Sequence, residues 1–319
     1  MNHRDQFINL DEFLEFLNLD KRNAPYHVLE SPHFPFSVSF SYVQKIRKRD
    51  WFDPLLLQVV PREEERKTLA GYSEDAVGDL PSMTSPGLLH KYRSRALLML
   101  TLSCAGHCRF CFRRSFPPFS LKDNLPQALE YLGEHPEISE VVLSGGEPLC
   151  LSNMELQRLL DSLEETPHIQ TIRFHTRALV TMPSRFDDEF MDILDKVQER
   201  RKCVFVSHIN HPQELDRLSI QTAGRLFSMG VLQLSQTVLL KGVNDCADVL
   251  ERLFSSLVQM NIVPYYLHQL DRVNGTAHFE VDSESGLKLM RELRVRLPGY
   301  AVPRFVKEVA GKAYKVPLF

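Results

Sequence analysis

The stretch Cys104-Ala-Gly-His-Cys108-Arg-Phe-Cys111-Phe-Arg113-Arg114, directly after the apolar run Ala96 to Leu102, decides how this chain is read. Three cysteines fall within eight residues and two arginines follow them. Thiolates ligate zinc, iron and iron–sulfur clusters, and a complete protein cage supplies four ligands. One is missing here. His107, inside the motif, keeps a zinc site open as the alternative, since zinc wants a fourth nitrogen or sulfur ligand.

C-terminal to this motif, short apolar runs alternate with helical periodicity, the pattern of repeated βα units around a parallel sheet. The runs are 96–102, 140–143, 171–174, 203–206, 232–239 and 263–267. Between and after them, 126–134, 153–164, 187–199, 213–229, 247–260 and 283–297 read as helices. Ser152 or Asn153 can cap the second helix, and Gly230 follows the fourth as a C-terminal cap. A final extended run covers 300–306. The fold predicted is α/β, a partial (β/α)6 TIM-like barrel occupying residues 90–319.

Residues 1–89 read as a helical and irregular extension that packs on the barrel. Phe7, Leu10, Phe13, Leu14 and Leu17 recur at helical intervals and predict one amphipathic helix over 5–19. Beyond it, Pro25, Pro32, Pro35, Pro54, Pro61, Pro81 and Pro86 interrupt the chain. Lys45 to Arg49, the only concentrated basic run, is expected on a solvated helix face.

With 38 Lys and Arg against 41 Asp and Glu, there is no electrostatic footprint for nucleic acid or anionic membrane. No leader-type segment opens the sequence, and no run approaches the ~18 apolar residues that cross a bilayer. A cytoplasmic protein is expected. Cytosolic thiols stay reduced, so the clustered cysteines point to metal, while Cys150, Cys203 and Cys246 are read as small apolar residues.

Unusual residues collect where the strands end. The cysteines follow the first strand, Gly145-Gly146-Glu147-Pro148 the second, and His175-Thr-Arg177 the third. His208-Ile-Asn210-His211 ends the fourth, Gln236 lies in the fifth, and His268-Gln-Leu-Asp271 ends the sixth. In βα barrels that rim is where chemistry resides. Arg177 and Asn210 are rim residues with no partner assigned.

The C-x3-C-x2-C spacing resembles the motif of radical S-adenosylmethionine (SAM) enzymes, in which three cysteines hold a [4Fe–4S] cluster and leave one iron open for SAM. Ser144-Gly145-Gly146-Glu147-Pro148-Leu149 resembles the glycine-rich motif that contacts the SAM amino group. Together with His208-Ile-Asn-His-Pro212, Gln236 to Asp245, Pro264 to Asp271 and Tyr314-Lys-Val-Pro317, these motifs resemble the lysine 2,3-aminomutases over roughly Leu89 to Phe319. Closest is the short bacterial branch that makes β-lysine for modification of translation elongation factor P.

The resemblance implies an isomerase that converts L-α-lysine to β-lysine by radical migration of the amino group from C2 to C3. Its cofactors would be the [4Fe–4S] cluster on Cys104, Cys108 and Cys111, SAM, and pyridoxal 5′-phosphate (PLP) on a lysine. Lys315 matches the position of that lysine, with Lys312 as fallback. Gly145, Gly146, Glu147, His208 and Gln236 would line the SAM pocket, and Lys91 and Arg95 would lie near the PLP phosphate. Arg113 would pair with the substrate α-carboxylate, and Asp271 and Glu308 with its ε-ammonium. Glutamate at 308, where the catabolic enzymes typically carry aspartate, is a departure that agrees with the elongation-factor branch. Implied partners are lysine, an external one-electron reductant, and a functional link to an elongation factor P ligase. A free-standing aminomutase for catabolism or osmolyte synthesis, and a non-catalytic zinc-stabilised binding module, stay open as alternatives.

Overall fold

A computed structural model of the protein describes residues 6–119 and 121–319. In chain order its strands and α-helices begin with β1 (Gln6–Phe7), α1 (Leu10–Phe16), β2 (Val38–Ser39), α2 (Phe40–Val43), α3 (Pro54–Leu57), β3 (Met83–Ser85), β4 (Leu88–Tyr92) and β5 (Arg95–Thr101). There follow α4 (Leu121–Glu134), β6 (Glu140–Gly145), α5 (Asn153–Glu164), β7 (Thr171–Thr176), α6 (Ala178–Thr181), α7 (Asp188–Gln198), β8 (Lys202–His208) and α8 (Arg217–Ser228). The chain ends with β9 (Leu232–Val238), α9 (Ala247–Gln259), β10 (Val263–His268), α10 (Ser283–Arg296), β11 (Arg304–Lys307) and β12 (Val316–Pro317).

Ten strands form one open sheet in the order β12-β11-β10-β9-β8-β7-β6-β5-β4-β3. β5 to β11 run parallel to their neighbours, linked by helices, while β3, β4 and β12 pair antiparallel at the edges. All six runs read as barrel strands are found, and the mostly parallel α/β architecture is that of a partial barrel. Successive side chains of a strand face opposite ways, and β7 uses this plainly. Ile172, Phe174 and Thr176 are buried, whereas Arg173 and His175 on the other face are half-buried. Phe174 stacks on Phe205 of the paired strand at 4.7 Å, and both belong to the core beneath α5 and α7. The opposite, polar face is the concave one left for chemistry.

Helix ends follow local chemistry. Ser152 caps α5 through a capping box with Glu155, and Gly230 turns the chain after α8 at φ +74°. At the N-terminus the expected helix over 5–19 is shorter. Position 5 lies outside the described residues, and Asn9 delays the start of α1 by accepting from the backbone N–H groups of Asp11 and Glu12. Beyond the helix end, Asn18 turns left-handed at φ +55°.

Three further expectations are corrected. Residues 83–92 are not irregular, because a turn at Pro86 and Gly87 (φ +89°) folds β3 back on β4 and sets Leu88 opposite Leu98 of β5. Cys246 is exposed rather than a small apolar core residue, and only Cys203 of the scattered three is buried. The basic run 45–49 is neither helical nor wholly solvated. Lys45 Nζ is buried against the barrel, donating to the carbonyls of Val180 (2.9 Å) and Glu214 (2.8 Å) and pairing with Asp216 at 2.9 Å. The carbonyls at the end of a short helix such as α6 have no partner within the helix, and a cation satisfies one of them. Lys45 therefore ties the segment built around Phe13, Leu17, Tyr42 and Leu56 to α6 and to the turn that leads into α8.

Lys45→Ala removes these charged hydrogen bonds and should lower the unfolding free energy by about 2 kcal/mol, read from urea unfolding of the ligand-free protein.

Candidate active site

The cysteine loop leaves β5 and is held from below by charge. Arg109 is fully buried and its guanidinium grips the Glu65 carboxylate through two nitrogens, Nε at 2.8 Å. Arg114 Nη2 joins the same carboxylate at 2.6 Å. Burial works against the Glu65 charge, yet the two guanidinium groups hold its carboxyl below the usual range. Arg109 also accepts its place from the backbone, its N–H donating to Gln58 O at 2.9 Å.

Cys104, Cys108 and Cys111 are all half-buried. Burial and then the neighbouring Cys111 and Cys108 push the Cys104 thiol well up, while burial and Cys108 push Cys111 up to about 11. Thiols close enough to oppose one another's ionisation fit a group that brings positive charge to all three, as the irons of a cluster do. His107 is turned away, its Nδ1 2.8 Å from Pro35 O and its ring against Phe34. Among the described residues, no three His, Cys, Asp or Glu side chains gather as ligands of a single metal ion. With His107 engaged by Pro35 O, the motif offers three thiols and no nitrogen, the donor set of a three-cysteine cluster.

The glycine loop after β6 lies directly on this loop. Gly146 N–H donates to Thr101 O at 2.5 Å and Glu147 N–H to Ser103 O at 2.8 Å. A Cβ on Gly146 would fall on Ser103 O and within 2.7 Å of Leu102, so only glycine permits the contact. Gly145 is also left-handed, at φ +119°. Both oxygens of Glu147 are engaged within the chain, Oε1 by Thr176 Oγ1 (2.6 Å) and Leu149 N–H (3.1 Å), Oε2 by Arg177 N–H (2.7 Å). Burial still raises the Glu147 carboxyl against these bonds. The loop consequently offers a ligand its backbone first.

Further round the concave face, Arg113 Nε pairs with Asp79 at 2.9 Å, and its Nη1 reaches Ser144 Oγ at 3.3 Å. Lys91 pairs with the other Asp79 oxygen at 2.6 Å and donates to Val77 O at 2.7 Å. Burial opposes the Asp79 charge, but Arg113 and Lys91 hold its carboxyl below the usual range. Arg95 places its guanidinium over the Tyr92 ring, 4.5 Å from the centroid.

The hairpin of β11 and β12 pairs Val306 with Pro317 and Lys307 with Val316, which makes Glu308 and Lys315 the next opposed pair. Lys315 Nζ meets Glu308 Oε2 at 2.5 Å, and Tyr92 OH donates to Glu308 Oε1 at 2.6 Å. Lys312 is exposed. Despite burial, Lys315 and Tyr92 keep the Glu308 carboxyl below its usual range. Asp271 behaves oppositely: burial pushes its carboxyl up to about 7, with Lys315 pulling down and Glu308 and Asp79 pushing up. These groups are thus within electrostatic reach of one another.

His208 Nε2 donates to Asn210 Oδ1 (3.1 Å), and the ring lies edge-on to Phe110 of the cysteine loop. Burial and Arg177 bring its pKa down to about 3. Gln236 pairs in register with His208 across β8 and β9. Arg177 and Asn210 now have partners: Arg177 reaches Cys108, Gln58, Tyr42 and Glu214, and Asn210 donates to Gln58. Asp79, Glu65, Gln58 and Tyr92 are site residues the sequence reading lacked. Each lies before β5, in a stretch where isolated polar residues look alike until the long-range partner is known.

A parallel βα sheet presenting three cysteines after its first barrel strand and a double glycine after the next defines a radical SAM enzyme, and residues 98–215 match the Radical SAM superfamily. An L-lysine 2,3-aminomutase from Buchnera aphidicola is 37% identical over 99% of this chain and 96% of its own length. One from Haemophilus influenzae is 39% identical over 95% of this chain and 90% of its own, and one from Escherichia coli 38% identical over 97% and 90%. The chain belongs to the L-lysine 2,3-aminomutase family, whose members are radical SAM isomerases.

Asp271 supplies a pH test. A carboxyl raised in the folded state leaves the folded protein holding more protons, so its contribution favours folding at low pH and is lost as pH rises through about 7. Asp271→Asn should therefore stabilise the ligand-free protein more at pH 8 than at pH 5, read from thermal unfolding midpoints.

Proposed function

We propose that the protein converts L-α-lysine to β-lysine by radical 2,3-amino migration, using the cluster, SAM and PLP that its family membership implies. The observation that carries the substrate assignment is Glu308, which already binds one ammonium, that of Lys315, at 2.5 Å, with Asp271 within reach of both. Two acids beside the cofactor lysine suit a substrate with a cationic tail. The names of the relatives support the same reading.

When bound, the cluster supplies one electron to the SAM sulfonium and PLP carries the migrating amino group. The chain's residues have separate tasks. Cys104, Cys108 and Cys111 hold the cluster, while Gly145, Gly146, Glu147, His208 and Gln236 line the SAM side. Lys315 would attach PLP, and Arg95 and Lys91 would bind its phosphate. Arg113 binds the substrate α-carboxylate, and a planar guanidinium can give two parallel hydrogen bonds there. It then exchanges Asp79 for the substrate, or shares itself between the two. Asp271 and Glu308 receive the ε-ammonium. Residues 1–89 cover the barrel and help keep water from the radical.

The β-lysine serves modification of elongation factor P, a reading supported by glutamate at 308, which agrees with that branch. On this reading the enzyme is cytoplasmic, works beside an elongation factor P ligase and draws electrons from an external one-electron donor.

The test is anaerobic turnover of L-lysine by reconstituted protein with SAM and a reductant. Lys315→Ala should lose turnover together with the absorbance of lysine-bound PLP. Arg113→Lys should lower kcat/KM by about 10- to 100-fold, the weight of one charged hydrogen bond. Iron and sulfide without lysine turnover would overturn the substrate assignment.

A further inference from the structure

We propose that Arg177 sets the reduction potential of the cluster by donating to the Cys108 sulfur, held there by Gln58, Tyr42 and Glu214. The inference rests on the cluster assignment above and extends it to a residue outside the cysteine motif.

Arg177 follows β7, and its backbone and side chain do different work. The N–H donates to Glu147 Oε2 at 2.7 Å and so fixes the glycine loop. The guanidinium turns to the cysteine loop, where Nη1 lies 2.6 Å from Cys108 Sγ. Nη2 meets Gln58 Oε1 at 2.7 Å, Tyr42 OH at 3.1 Å and Glu214 Oε1 at 3.3 Å. The rings of Tyr42 and Phe110 face it at 5.1 and 5.6 Å. Gln58 and Glu214 are completely buried. Gln58 is itself fixed, because its Nε2 donates to Glu214 Oε1 (3.0 Å) and its Oε1 accepts from Asn210 (2.9 Å).

A purely structural arginine would put its two-pronged face on the carboxylate, as Arg109 does on Glu65. Arg177 instead makes one long contact to Glu214 and turns its other terminal nitrogen to sulfur. Among the described residues, its Nε and the second Glu214 oxygen are buried without a hydrogen-bond partner. The arrangement sacrifices the best ion-pair geometry to keep a cation beside the Cys108 sulfur.

Its consequence is electrostatic. One electron from an external donor takes [4Fe–4S]2+ to [4Fe–4S]+, adding one negative charge to the cluster. A buried cation beside a ligand sulfur favours the reduced form, and hydrogen bonds to sulfur act in the same direction. Glu214, on the far side of the guanidinium, opposes it. The two residues should therefore move the potential in opposite directions.

The experiment is a potentiometric titration, followed by electron paramagnetic resonance, of anaerobically reconstituted full-length protein. Arg177→Gln should shift the midpoint potential negative, and Glu214→Gln should shift it positive, each with iron and sulfide as in the wild type. Arg177→Lys, which keeps the charge but loses the fork, should fall between Arg177→Gln and wild type. Unchanged potentials in Arg177→Gln and Glu214→Gln, or a negative shift in Glu214→Gln, would overturn the proposal. Should Arg177→Gln fail to hold a cluster, Arg177→Lys decides: a midpoint no more negative than that of the wild type overturns the proposal. Wild-type protein that takes up no cluster overturns the cofactor reading as well; a working wild-type cluster indifferent to both changes overturns this inference only.

Discussion

The contact on which the site depends is backbone on backbone: the amide of Gly146 against the carbonyl of Thr101, with no room for a Cβ between β6 and the start of the cysteine loop. Adjacent parallel strands lie about 4.8 Å apart, and their end loops normally diverge. Here two hydrogen bonds, Gly146 to Thr101 and Glu147 to Ser103, carry the pairing beyond the strands and lock the loops together. Glu147 then fastens the pair to the next strand end through Thr176 and Arg177. Three consecutive strand ends thus share one hydrogen-bonded frame, and Cys108 is joined to it by the Arg177 side chain.

How far this could be read beforehand differs along the chain. From β5 to β10, the strands are mostly short apolar runs and the long helices carry a 3.6-residue period, because they face the two buried clusters packed on the sheet. The same logic misses β3 and β4, whose Thr84, His90 and Lys91 break the apolar pattern at a sheet edge. It also assigns one helix over 5–19, since periodicity does not see that Asn9 caps late. In the site, the cysteines, the double glycine and Asp271 were legible as residue types at strand ends, whereas Glu308 came only through the family resemblance. Their partners were not. Asp79 sits 34 residues before Arg113, and Gln58 lies 119 before Arg177. Such pairs are set by tertiary packing and leave no trace in local spacing.

Charged groups on the concave face are paired within the chain before any ligand arrives. Arg113 and Lys91 share Asp79, and Lys315 occupies Glu308. An isolated charge in such a place would be costly, so the ligand-free chain satisfies its own groups. Asp271 is the exception, and it meets the same constraint by keeping its proton more readily than an ordinary carboxyl.

A sheet that does not close leaves two borders, and borders of sheets recruit other strands. In this protein they are β3 and β12, three and two residues long. Pro317 in β12 has no N–H to offer an incoming chain. Such brief, proline-ended margins resist edge-to-edge self-association, so the fold can keep its concave face accessible without becoming a template for aggregation.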